Sequence, residues 1–291
     1  MALIRAQGFS KIIDVYSGVT APYKTAQTHG ITDAEAQALG FQSGQKFLDA
    51  MWKAVDDHAV AANWVPVAYH IFDEPTEAKM PPILEGVKMH IEAAKGLQRT
   101  TFTGATSMKG NDPKNPHYDL MRAIMMPQLN NHDEASVAAI QEAGRPFSFY
   151  NSDNRWTIGR YMRMLVVKHQ MALRLNWHFN IVAGDPYYAL DCREDDYCWY
   201  NTDENQTMIP AVAYLAEDLA GLNDYRALAT LTRLVKEKAG TPAAAQGQKI
   251  LDSVNALEAG KDREAAAAKD PAAFYGPQRE EVINAIIDLL K

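Results

Sequence analysis

The stretch that decides the reading is Val65–Pro75, VPVAYHIFDEP. It is an apolar run of strand length that ends abruptly in two adjacent carboxylates, Asp73 and Glu74, followed by Pro75. Runs of this kind, rich in Val, Ile and aromatic residues and bounded by turn residues, read as strands buried on both faces. Working outward, FSKIIDVY (9–16), RTTFTGATS (99–107), MMPQLNNH (125–132), PFSFYNSD (146–153) and LRLNWHFN (173–180) have the same character. Helical patterns separate them. One runs from the Thr32-Asp33 N-cap signal to about Ala62, with Phe47, Met51, Trp52 and Val55 at helical spacing. Another starts at Pro81-Pro82 and closes on Gly96. Shorter ones cover 118–124, 133–143 and 156–172.

Alternation of strand and helix predicts parallel pairing with right-handed crossovers. An open doubly wound sheet would carry a glycine-rich phosphate loop after its first strand. Here that loop is SGVTAPYKTAQTHG, with neither a GxGxxG nor a GxxxxGK pattern. A (β/α)8 barrel instead gathers polar residues at strand C-termini, and the strand ends read DEP, NNH, YNSD and NWHFN. The expectation is an α/β, TIM-barrel-like domain of about six strands over residues 1–240, with a C-terminal helical extension at 241–291. A 23-residue polar loop with five aromatics, GDPYYALDCREDDYCWYNTDENQ, precedes the last helices. Ala213, Leu215, Leu219, Leu222 and Leu228 are the expected core side of the first of them.

Composition bounds the function. The 291 residues are 47% hydrophobic and 22% charged, an ordinary globular balance. The net charge is −7 with no long basic run, which argues against nucleic acid and an anionic membrane surface as partners. No segment reaches the ~18 uninterrupted apolar residues of a membrane span, and the first residues hold no signal-peptide core. Cytoplasmic residence follows for the chain as written, and export if the natural N-terminus lies upstream. Two cysteines, Cys192 and Cys198, and eight scattered histidines offer no ligand spacing for zinc, so no metal or organic cofactor is expected.

Asp73 and Glu74 carry the chemistry. Pro75 biases Glu74 toward extended backbone, and adjacent residues on an extended chain point to opposite sides. The two carboxylates then diverge and can flank a ligand, one as an acid and the other as an anion, the division of labour that glycosidic bond cleavage requires. The bland alternative is a helix N-cap with a first-turn acid. Asn130, Asn131, Tyr150 and Asn151 end neighbouring strands and suit sugar hydroxyls or an acetamido carbonyl. Trp177 offers an indole face to a sugar ring; its alternative is core packing. His178, Arg160 and Arg163 read as structural, and Trp52, Trp64, Met162, Met164 and Met171 as packing of the helical layer.

Phe47–Pro75, FLDAMWKAVDDHAVAANWVPVAYHIFDEP, resembles the approach to the Asp-Glu pair of glycoside hydrolase family 123, N-acetyl-β-galactosaminidases with a (β/α)8 catalytic domain. The likeness continues through Trp156–Asn180 (WTIGRYMRMLVVKHQMALRLNWHFN) and Ile209–Leu231, with its Gly221, Asp224 and Tyr225, and spans about residues 45–235. It implies a substrate-assisted retaining mechanism on a terminal 2-acetamido sugar. The substrate's own acetamido oxygen attacks the anomeric carbon, Glu74 is the general acid/base, and Asp73 steadies the acetamido group. Consistently, the strand three after DEP, where many barrel glycosidases carry a nucleophilic Glu, has none; Asp153 lies past its end. Against the family pattern, the first two strands are missing. A homo-oligomer or a further N-terminal segment would then cover the open edges. A barrel glycosidase of other sugar specificity and a non-catalytic carbohydrate-binding or assembly module are the competing readings.

Overall fold

The computed structural model describes residues 5–6, 11–15, 31–108, 112–130, 134–150, 168–175, 200–202, 208–210, 212–255 and 271–291. The chain divides into two compact units, Met1–Tyr150 and Asn151–Lys291.

In the first unit, β1 (Ile13–Val15), β2 (Val67–Asp73), β3 (Thr100–Thr106), β4 (Met126–Leu129) and β5 (Ser148–Tyr150) lie side by side in chain order, every pair parallel. The sheet is curled like half of a barrel. Its strand order never reverses among these five, so it contains no switch point of the kind an open doubly wound sheet uses. The connecting helices are α1 (Asp33–Ala38), α2 (Gly44–Ala61), α3 (Met80–Ala93), α4 (Pro116–Ala123) and α5 (Glu134–Glu142).

The expected single helix over 33–62 is two. Thr32 and Glu35 form a reciprocal capping box that starts α1. Gly40, at φ +86°, then turns the chain, and Ser43 caps α2 by accepting from Lys46 N–H. Gly44 fits because a Cβ there would collide with the Ile31 carbonyl oxygen. The helix with prolines near its start begins at Met80, one residue before Pro81, and is capped by Ala94; Gly96 (φ +85°) follows two residues later.

Register divides the sheet into two faces. Ile13, Val67, Tyr69, Phe102, Leu129 and Phe149 are on the outer face. Trp52 of α2 packs there, with ring centroids 4.9 Å from Tyr69 and 4.7 Å from Phe102. His90 of α3 completes the cluster, 5.1 Å from Phe102. Burial pushes the His90 imidazole down to about 4, so it is a neutral core residue whose Nδ1 contacts the Gly86 carbonyl at 2.8 Å. The expectation that Trp52 packs the helical layer holds.

The opposite, N-terminal ends of the strands are tied by Asp56. This buried carboxylate accepts from Gln98 N–H (2.9 Å), Arg99 N–H (2.7 Å) and Thr100 Oγ1 (3.0 Å), which pins α2 to the entry of β3.

The second unit contains the strand β6 (Leu173–Leu175), the antiparallel pair β7 (Tyr200–Thr202) and β8 (Met208–Pro210), and helices α6 (Val212–Glu237), α7 (Pro242–Asn255) and α8 (Pro271–Leu290). The three helices pack on one another. Leu228, Leu231, Leu234, Leu251, Val282 and Leu289 are buried. Leu219, an expected core residue, is exposed, because the buried stripe of α6 runs through Leu228, Leu231 and Leu234. Asp224 of the resemblance element holds Arg279 of α8 (Oδ1 to Nε, 2.6 Å), a structural pair within this bundle. No helix among the described residues is long and apolar enough to cross a membrane.

Burial alone would raise the Asp56 carboxyl, but the hydrogen bonds from Gln98, Arg99 and Thr100 outweigh it and hold it below the ordinary range. A depressed carboxyl contributes stability above its unfolded value that is lost as pH falls through the folded value. Asp56→Asn should therefore cost ~1–3 kcal/mol at pH 7. Urea denaturation should show that gap closing as the pH drops below ~4.

Candidate functional site

The inner face of the sheet is polar. Register aligns Asp14 with Ala68, His70 with Thr103, Asp73 with Ala105, Ala105 with Gln128, and Gln128 with Ser148. Partners in a parallel register share a face, so Asp14, His70, Asp73, Thr103, Gln128 and Ser148 line one surface of the curl.

Asp73 belongs to that surface only because of an irregularity. Side chains alternate along a strand, so His70 and Asp73, three apart, would ordinarily face opposite ways. The register of β2 against β3 shifts between His70 and Phe72, with Ile71 as the extra residue. The bulge reverses the parity. Phe72 turns outward against Gly104, where any Cβ would meet its ring at 2.5 Å, and Asp73 turns inward above His70. Asp73 Oδ1 is then 3.7 Å from His70 Nε2. The imidazole is almost fully buried, at 2% side-chain exposure, and the Asp73 carboxylate is 21% exposed.

Glu74 corrects the expectation of extended backbone. Its φ is +38°, in the left-handed region, which costs a residue with a Cβ ~1–2 kcal/mol. Two hydrogen bonds hold it there against the preference that Pro75 imposes. Its N–H donates to Ala105 O (2.8 Å), and its Oε1 accepts from Asn130 Nδ2. Asn130 is itself fixed at the end of β4, its N–H donating to Thr106 O at 3.2 Å. At the end of β3, Thr106 Oγ1 contacts His117 Nδ1 of α4 (2.8 Å).

The structure thus brings together Asp73, Glu74 and Asn130 at the C-terminal ends of β2 and β4. Tyr150 closes β5 at the same end, and its side chain is outside the described residues. Asn131, Asn151 and Trp177 are outside them as well, as are His132, Asp153, His178, Arg160, Arg163, the aromatics of 187–199 and both cysteines. Among the described residues, Asn130 Oδ1, Gln128 Oε1 and Ser148 Oγ have no hydrogen-bond partner, and no group of three or more His, Cys, Asp or Glu side chains could hold a metal ion.

Sequence reasoning missed Asp14, His70 and Gln128. Gln128 Nε2 donates to Asp14 Oδ2 (2.8 Å) across the sheet. Burial pushes the Asp14 carboxyl up to about 6, while the His70 charge and the Gln128 hydrogen bond act against it. A usable signal was present: each is a polar residue inside an otherwise apolar strand, where an unpartnered polar group is expensive. Neither protein-family models nor curated protein sequences give any match to the chain.

A carboxyl raised by burial favours the folded state fully below its unfolded value of 3.8, and that advantage is lost as pH rises through about 6. Asp14→Asn removes the ionisation and keeps an acceptor for Gln128. Thermal or urea denaturation should find it more stable than the parent by ~1–3 kcal/mol above pH 6, and equal to it below ~4.

Proposed function

We propose that the chain is a glycosidase domain of (β/α)8 type that removes a terminal 2-acetamido sugar with assistance from the substrate's own acetamido group. The observation that carries the reading is the pairing of Asp73 and Glu74 at the C-terminal end of β2, turned apart by a bulge and a left-handed residue. Consecutive carboxylates on a regular strand would alternate passively. Here each is aimed separately, Asp73 along the inner face and Glu74 toward Asn130.

In this mechanism Glu74 protonates the leaving oxygen and then activates water. It is exposed, as a group that exchanges protons with substrate and solvent must be. Asp73 accepts the acetamido N–H, aligns the carbonyl oxygen on the anomeric carbon and stabilises the oxazolinium ion that forms. The unmet acceptor of Asn130 suits a sugar hydroxyl or the acetamido N–H. No second carboxylate is required as nucleophile. The resemblance to glycoside hydrolase family 123 supports galactosamine stereochemistry, and the carboxylate pair supports the reaction type.

Glu74→Gln should slow 2-acetamido glycosides with poor leaving groups by ~10²–10⁴-fold and activated aryl glycosides far less. Asp73→Asn should slow both by a comparable ~10²–10⁴-fold, because Asp73 assists the acetamido oxygen's attack in the same step that expels the aglycone, whether that leaving group is good or poor. Steady-state kinetics on a set of aryl N-acetylgalactosaminides and N-acetylglucosaminides checks both, with plain galactosides as the control. Rapid turnover of a plain galactoside, or a sugar trapped covalently on Asp153, would replace substrate assistance with a protein nucleophile. Glycan binding with no turnover would favour a binding module.

A further inference from the structure

We propose that Asp14 is a positioning residue for Asp73, acting through His70, so that a carboxylate–imidazole–carboxylate array spans β1 and β2 behind the reacting end of the sheet. The inference rests on the glycosidase reading for its reaction and, for its existence, on the face that β1 and β2 share.

His70 Nε2 faces Asp73 Oδ1 at 3.7 Å, too far for a direct hydrogen bond. Such a contact orients a carboxylate when the imidazole carries a proton and its ring cannot swing. The His70 ring is confined by burial. A protonated ring there needs a counter-charge. Asp14 supplies one from the neighbouring strand, aligned with Ala68, two residues before His70 on the same face. Gln128, reaching across from β4, ties Asp14 down at 2.8 Å. The paired strand residues that share the inner face with them are Ala68 of β2, Thr101, Thr103 and Ala105 of β3, Met126 of β4 and Ser148 of β5, none of them charged. Asp14 and Asp73 are two carboxylates on the face that His70 lines. The elevated Asp14 carboxyl, about 6, fits this placement: burial raises it and the His70 charge opposes the rise.

The array has a functional consequence that a merely structural pair would lack. When Asp14 takes up a proton, the field it sets across the shared face at His70 changes, and with it the placement of the ring against Asp73. Activity should therefore depend on an ionisation belonging to a residue that never touches substrate.

The test uses the full chain and two readouts. The first is independent of turnover. In protein labelled with carboxyl-¹³C aspartate, the resonance lost in Asp14→Asn identifies Asp14. Its midpoint should be near 6 and should rise in His70→Gln, which removes the opposing charge. The second is the pH profile of kcat/KM on an aryl N-acetylgalactosaminide. Asp14→Asn should stay folded, lower kcat by ~10–100-fold with little change in KM, and lose the acid limb near 6. Asp14→Glu should restore part of that limb. An Asp14 midpoint that does not move in His70→Gln overturns the array whatever the protein's activity. A moved midpoint together with an unchanged kcat and pH profile in folded Asp14→Asn overturns the positioning role. A moved midpoint in a chain that turns over no 2-acetamido sugar upholds the array and sinks the glycosidase reading instead.

Discussion

One extra residue in β2 governs the chemistry of the inner face. Were Ile71 paired in regular register instead of bulged, strand alternation would put Asp73 among Tyr69, Phe102 and Trp52, an aromatic layer that offers a carboxylate nothing. With the bulge, the outer face keeps Phe72 and the inner face gains Asp73. Gly104 is the complement on β3. Its missing side chain makes the room that Phe72 needs once the parity has switched. The bulge, the glycine and the turned Glu74 form one device, and each would be a local defect without the other two.

The two ends of the strands do different work. At the N-terminal ends, Asp56 satisfies three donors and holds α2 against the start of β3. Its carboxyl is held low by hydrogen bonds, as befits a residue that stabilises as an anion. On the inner face, level with Ala68 of β2, Asp14 is pushed the other way by burial. A buried carboxyl that opposes stability near neutral pH is a cost that packing alone would remove, for example by substitution with an apolar residue. Its place on the same face as His70 and Asp73 fits the proposed site, where perturbed carboxyls collect.

The parallel α/β arrangement was legible because strand and helix periods differ and because the strand ends are polar. The strands read at 9–16, 65–75, 99–107, 125–132 and 146–153 pair in chain order as expected. The Asp73–Glu74 pair was legible from its position before Pro75. Two things were not. The break at Gly40 was hidden because isolated glycines within a helical pattern, here Gly40 and Gly44, are weak punctuation. The bulge was hidden because Ile71 and Phe72 are both apolar, so a run buried on both faces gives no alternation in which a slipped parity could be seen. The same uniformity concealed His70, which shares its face with Asp14, far earlier in the chain, and with Gln128, far later.

The Asp56 anchor has a consequence for how such a chain can change over generations. It ties the scaffold together through α2 and the entry of β3, without contacting the loops that follow the strands. Loops at the reacting end can lengthen, shorten or exchange residues while this clasp continues to hold the sheet. Selection for a new ligand and selection for an intact fold then act on separate sets of positions, and a lineage built on this half-barrel can explore specificity without first having to find compensating changes in its foundations.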